Sequence, residues 1–275
     1  MTTAATTNKK NQPTDHKSDR ASDGVNDRPR STRYWEIDAL RGVAIVMMVI
    51  FHLMWDFWYY QILPDIVLYA GFWKYFQRTC ANLFLILVGV SLAVITIKRM
   101  GDDPKGLPPF RPYLLRGLKV LGAGLLVSLI VWGAGVGYVH FGVLHLIGFA
   151  SIAAYPLLRE RGINLVLWAI FFVAGYLLLA PRFDFPWLLW LGFVPQAYYP
   201  NDYFPVIPYF GVVLLGVFLG NSLYGPGGRR FLLPDIGRWL PIRGLQWLGR
   251  HSLIIYVTHQ VILFAILVAL GLIRF

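Results

Sequence analysis

The chain has 275 residues, of which 57 % are hydrophobic and only 14 % charged, and its mean hydropathy is +0.56. That balance excludes an ordinary soluble domain, where charged residues make up about 25 %. The formal net charge of +11 does not point to nucleic acid, because the basic residues sit in short clusters between apolar spans, as membrane topology requires.

Residues 1–32 are rich in Thr, Asn, Asp, Lys and Ser and nearly free of large apolar side chains. They are expected to form a disordered cytoplasmic tail ahead of one transmembrane domain at 33–275. The tail lacks the apolar core of a signal peptide, so no cleavage is expected. After residue 38, apolar runs of about 18 to 22 residues recur, the length a bilayer demands. They predict an all-α, polytopic transmembrane helix bundle of about seven spans, at 38–60, 79–98, 113–132, 141–158, 163–180, 205–222 and 251–272. Phe185 to Tyr199 is apolar and aromatic but short and broken by Pro186 and Pro195, and reads as an interfacial or re-entrant segment. With the N-terminus in the cytoplasm, 19 Lys and Arg residues fall on the cytoplasmic side and only Lys74, Arg78, Arg182 and Arg274 on the other. That bias fixes the orientation. Aromatic residues crowd the outer ends, Trp55 to Tyr60 and Trp187 to Tyr203 among them, and suggest a structured outer vestibule.

The first span carries a polar stripe. At 100° per residue, Arg41 and His52 lie within about 20° of each other and roughly 16 Å apart along the axis. Asp38 and Asp56 fall within about 60° of that line. Ionisable groups inside a bilayer are costly and mark a site by default. Asp56, one turn beyond His52, is near enough to accept a hydrogen bond from its imidazole and raise its basicity, as a general base needs. In the fourth span, His140 and His145 are about 140° apart and do not share a face; His145 is the buried one. The stretch Asn201-Asp202-Tyr-Phe-Pro205 has Pro205 suited to a first helical turn and Asn201 or Asp202 suited to its cap, with Asp202 alternatively an acceptor-binding carboxylate. In the last span Ser252, Tyr256 and His259 repeat at i, i+4 and i+7 and point together into the bundle.

Cys80 is the only cysteine, so an intrachain disulfide and a thiolate metal cluster are excluded. There is no HExxH pair and no carboxylate cluster, and no metal is expected. No phosphate loop, dinucleotide-binding turn or nucleophile elbow is present, and Gly225-Pro-Gly-Gly228 reads as a turn.

Several motifs in order resemble the heparan-α-glucosaminide N-acetyltransferase catalytic-domain family: Glu36-Ile-Asp38-Ala-Leu-Arg41-Gly42 with His52 and Asp56, Phe84 to Leu92, Gly142-Val-Leu-His145, Asp202-Tyr-Phe-Pro205, and Leu248-Gly249-Arg250 through His259. The Arg41 and His52 pair, with ten residues between, is also similar to the signature of the integral-membrane acyltransferase family 3. The resemblance implies transfer of an acyl group, acetyl foremost, from acyl-CoA to a glycan or amino-sugar acceptor outside the cytoplasm. Arg41, Asp38, Arg116 and Arg250 would bind the donor. His52, Asp56 and His259 would be catalytic, and His145, Asp202 and Tyr256 would meet the acceptor. His52 would deprotonate the acceptor or itself carry the acyl group. The lysosomal relatives have asparagine at the place of His52 and a histidine where this chain has Leu63, a departure that bears on the acceptor. The implied partners are the lipid bilayer, acyl-CoA and the acceptor, without nucleic acid and with a homodimer left open. The positive-inside pattern and small size favour a bacterial plasma membrane, a thylakoid or organelle membrane being left open. Two rivals use the same residues: a proton-coupled transporter, against which stands the missing inverted repeat, and a non-catalytic scaffold whose stripe only joins helices.

Overall fold

The computed structural model describes residues 33–100, 106–135, 137–196, 198 and 202–273. The expectations for the tail 1–32 and for Lys105, Tyr199, Asn201 and Arg274 lie outside the described residues. Eight α-helices are present among them: α1 (Trp35–Tyr59), α2 (Gly71–Met100), α3 (Arg111–Gly133), α4 (Val143–Ala153), α5 (Arg161–Leu177), α6 (Val206–Leu223), α7 (Leu240–Arg250) and α8 (Ser252–Ala269). Five of these, α1, α2, α3, α6 and α8, are long and apolar enough to cross a membrane, while α4 and α5 are apolar but shorter. The chain is therefore an all-α integral membrane protein. Its seven apolar helices follow the seven predicted segments in order.

The eighth helix, α7, was not expected. Its 11 residues, LPIRGLQWLGR, contain two arginines and two glycines, so they never form an apolar run of membrane length. They do place Ile242, Leu245 and Leu248 at helical spacing, and Pro241 sits in the first turn, where its missing N–H costs nothing. The turn at 225–228 is the loop of a small hairpin, β1 (Tyr224–Gly225) with β2 (Gly228–Arg229).

Glycines set how closely the helices approach. A Cβ at Gly89 would lie 2.0 Å from the Val213 carbonyl oxygen, and one at Gly216 2.2 Å from that of Ile86. This brings α2 and α6 together backbone to backbone. Gly42 and Gly249 do the same for α1 and α7, and Gly117 and Gly148 for α3 and α4. Where lipid removes the hydrophobic drive between helices, such small-residue contacts supply the packing. The largest core runs through Leu85, Leu92, Leu146, Val213, Leu214 and Val217, joining α2, α4 and α6. α5 packs on α6, and α1 carries α7 and α8. The outward faces of α3, α5 and α8 stay apolar and exposed, as at Leu125, Leu129, Val166, Val173, Val261 and Ile266, which is what a lipid-facing surface requires.

Candidate functional site

A cavity of about 890 Å³ lies between α1, α2, α3, α4 and α8. Arg41, Arg116, Lys119 and Arg250 line it, as do His52, His259, Gln260, Tyr256 and Asp202. Arg41 and His52 are separated by eleven residues of one helix, hence about 16 Å of rise, and the same cavity touches both.

At the end nearest the start of α1, charge is organised around Asp38. Its carboxylate accepts from Arg41 Nη1 and from Arg250 Nε, each at 3.3 Å. Arg41 Nη2 also donates to Ser91 Oγ at 2.7 Å, and Arg250 Nη2 to Gln246 Oε1 at 3.0 Å. Asp38 is thus a brace between two arginines, one from α1 and one from α7. Its own side chain is 11 % exposed, against 45 % for Arg250, so the guanidinium and not the carboxylate is the group a ligand meets. Glu36, two residues earlier, is held apart from this cluster. It receives both Nε and Nη2 of Arg229 at 2.6 Å and the Tyr224 hydroxyl at 3.0 Å, fastening the hairpin to the start of α1.

Deeper in, α1 and α8 rise side by side in the same direction. His52 faces His259, Asp56 pairs with Gln260, and the Tyr60 ring lies 6.0 Å from Phe264. The two imidazoles meet edge to face with centroids 4.7 Å apart. Asp56 does not take the expected hydrogen bond from His52. Its Oδ1 instead accepts from Gln260 Nε2 at 2.5 Å, because α8 brings that amide to the buried face of α1. His259 Nδ1 lies 2.7 Å from the Tyr256 carbonyl. A carbonyl only accepts, so Nδ1 carries the proton and Nε2 keeps its lone pair. Among the described residues three acceptors are left buried without a partner here: His259 Nε2, Asp56 Oδ2 and Gln260 Oε1. Buried polar atoms are normally satisfied, so this constellation is set up to receive donors such as hydroxyl or amine groups.

The remaining predicted residues are divided between the cavity and the helix ends. Tyr256 and Ser252 line the cavity. His145 does not; it is 7 % exposed, and its Nδ1 accepts from the Gly142 N–H at 3.2 Å, closing the first turn of α4. Asp202 caps a different helix from the one expected. Among the described residues α6 begins after Pro205 with no side-chain cap, while Asp202 Oδ2 accepts from the Val143 N–H of α4 at 3.2 Å. Gly142 permits this, since a Cβ there would lie 2.2 Å from that same oxygen. The segment is held in place by the bond from Phe204 N–H to the Phe141 carbonyl at 2.9 Å and by Tyr198 on His140. Burial pushes the Asp202 carboxyl up to about 6 from 3.8, only partly offset by the Val143 N–H.

A pH test follows from that shift. A carboxyl raised on folding favours the protonated folded state, fully below its unfolded value of 3.8 and no longer once pH passes about 6. The thermal unfolding midpoint of the natural protein, measured relative to Asp202→Asn, is expected to fall across that window and to run parallel above it. Parallel curves throughout would show that Asp202 is not buried as described.

Lys119 and Gln246 escaped the sequence reading, and Ser91 and Gln260 stood within its motifs without a role. Lys119 stands one turn from Arg116 on the same side of α3, and Gln260 adjoins His259, so spacing held a signal for both. Ser91 and Gln246 matter only through Arg41 and Arg250, contacts between distant elements that spacing does not encode. Among the described residues no group of three or more His, Cys, Asp or Glu is placed to hold a metal ion.

The family model for heparan-alpha-glucosaminide N-acetyltransferase, catalytic, matches residues 33–261, a range that contains nearly all of this cavity. Neither the curated proteins nor the solved structures include a significant match.

Proposed function

The chain belongs to the heparan-alpha-glucosaminide N-acetyltransferase catalytic family, a family of membrane acetyltransferases, and on that premise we propose that it transfers acetyl from acetyl-CoA to a hydroxyl or amine of a glycan outside the cytoplasm. The observation that carries the reading is the cavity, which joins a basic mouth to a facing pair of imidazoles, His259 buried and His52 half-buried. Phosphates of the donor meet Arg41, Arg116, Lys119 and Arg250, where charge-assisted hydrogen bonds are strongest. The pantetheine arm runs along α1 and brings the thioester to His52 and His259.

There the acceptor's oxygen or nitrogen attacks the thioester carbonyl carbon. Its proton passes to His259 Nε2, the nitrogen left as a base by the Tyr256 carbonyl. The C–S bond then breaks, and the CoA sulfur leaves with the proton returned by the imidazolium. His52 packs its ring against His259 and holds it at the reacting carbon. Asp56, Gln260, Tyr256 and Asp202 meet the acceptor's hydroxyl and amine hydrogens. Such a protein resides in a bacterial plasma membrane with its N-terminus in the cytoplasm.

The reading is tested without knowing the acceptor. Purified protein in detergent should bind acetyl-CoA and slowly hydrolyse it, releasing free thiol. Failure of folded protein to bind acetyl-CoA would overturn it.

A further inference from the structure

A second pocket, of about 330 Å³, opens where the ends of α2, α5 and α6 meet the hairpin. Its lining includes Arg159, Arg161 and Arg230 with Asn221, and the apolar side chains Ile97 and Met100. It shares no residue with the larger cavity. Tyr224, which also lines it, bonds Glu36, so the pocket lies on the side of the membrane where α1 begins.

The three arginines come from two separate segments, and among the described residues no acid lines the pocket. Glu160, between two of them in sequence, is not part of the lining. Arg161 is held over the Phe218 ring at 5.6 Å, and Arg230 Nη1 donates to the Asn221 carbonyl at 3.2 Å. Neither is in an ion pair among the described residues. Guanidinium groups fixed by rings and carbonyls keep their remaining donors for an anion of phosphate geometry. The apolar floor beside them decides the source. A soluble phosphate has no use for Ile97 and Met100, whereas a phospholipid presents its phosphate and its first acyl carbons together. Basic pockets between helix ends are where such headgroups bind.

We propose that this pocket seats the phosphate of an anionic phospholipid from the leaflet at the start of α1, with its glycerol and upper acyl chain on Ile97 and Met100. The proposal does not depend on the acetyltransferase reading.

The test is thermal unfolding of the full chain in nanodiscs of phosphatidylcholine, with and without phosphatidylglycerol. Phosphatidylglycerol is expected to raise the midpoint by about 3–5 °C, and Arg159→Gln/Arg161→Gln/Arg230→Gln to abolish the rise. Arg238→Gln/Arg243→Gln, which removes equal-signed charge from the exposed loop and α7, should keep it. Equal loss in both variants, or an undiminished rise in the triple variant, would overturn the proposal. So would an equal rise from inorganic phosphate or glycerol 3-phosphate in pure phosphatidylcholine, which would make the ligand soluble. Should the triple variant fail to fold, Arg161→Gln alone should shrink the rise, and an unchanged rise there would count against the site.

Discussion

Replacing His259 with alanine is expected to lower thioester hydrolysis and acyl transfer by about 10²–10⁴-fold, the usual contribution of a positioned general base. Affinity for acetyl-CoA should stay unchanged, because the basic mouth is about three helical turns away. His259 Nδ1 donates to the Tyr256 carbonyl, and its Nε2 is buried without a partner among the described residues. Alanine therefore removes a structural hydrogen bond, worth about 1 kcal/mol, together with the base. Asparagine separates the two. Its amide can still donate to the Tyr256 carbonyl but offers no basic nitrogen, so His259→Asn should recover the unfolding midpoint and remain inactive. Recovery of activity in that variant would show that His259 only joins helices. His52→Ala should also lose turnover with acetyl-CoA binding intact, since its ring is what holds His259 at 4.7 Å. A scaffold would respond in the opposite way, with stability falling and no acetyl-CoA bound by any form.

The fold was legible where one physical signal dominates. Seven apolar segments could be read from length and hydropathy, and Ser252, Tyr256 and His259 from the helical repeat that turns them toward one side. The stripe from Arg41 to His52 was legible for the same reason, because a helix converts spacing into a shared face. What stayed hidden depends on contacts between distant segments. Asp56 looked like the partner of His52 from one turn away, yet Gln260, 204 residues later, takes its carboxylate. Asp202 looked like a cap for the helix that follows it and instead caps α4, because the chain folds back to pair Phe141 with Tyr203. α7 was missed because an amphipathic helix with two arginines has no apolar run, although its contact with α1 through Gly42 and Gly249 places Arg250 on Asp38. Hydropathy finds what faces lipid. It says little about which polar groups meet inside.

Arg116→Ala and Arg41→Ala are each expected to raise the Kd for acetyl-CoA by about 10- to 100-fold, the value of one charge-assisted hydrogen bond to phosphate, with kcat little changed. The two substitutions differ in what else they disturb. Arg41 is tied to Asp38 and Ser91, so its removal leaves Asp38 with Arg250 alone and should also lower stability. Arg116 lines the cavity without a side-chain partner of that kind among the described residues, so its effect should be confined to binding. Asp38→Asn acts through the arginines it braces and should weaken binding less than loss of either. The donor's own structure supplies the decisive control. S-acetylpantetheine has the thioester and the arm but no nucleotide phosphates, and its turnover should be the same in the natural protein and in Arg116→Ala. Added salt should weaken acetyl-CoA binding to the natural protein and do so less in the variant, since fewer exposed charges remain to be screened. If S-acetylpantetheine lost as much as acetyl-CoA, the arginines would be shaping the cavity and not holding phosphate. The donor would then have to enter by another route, and the basic mouth would be only the topological charge that every cytoplasmic helix end carries.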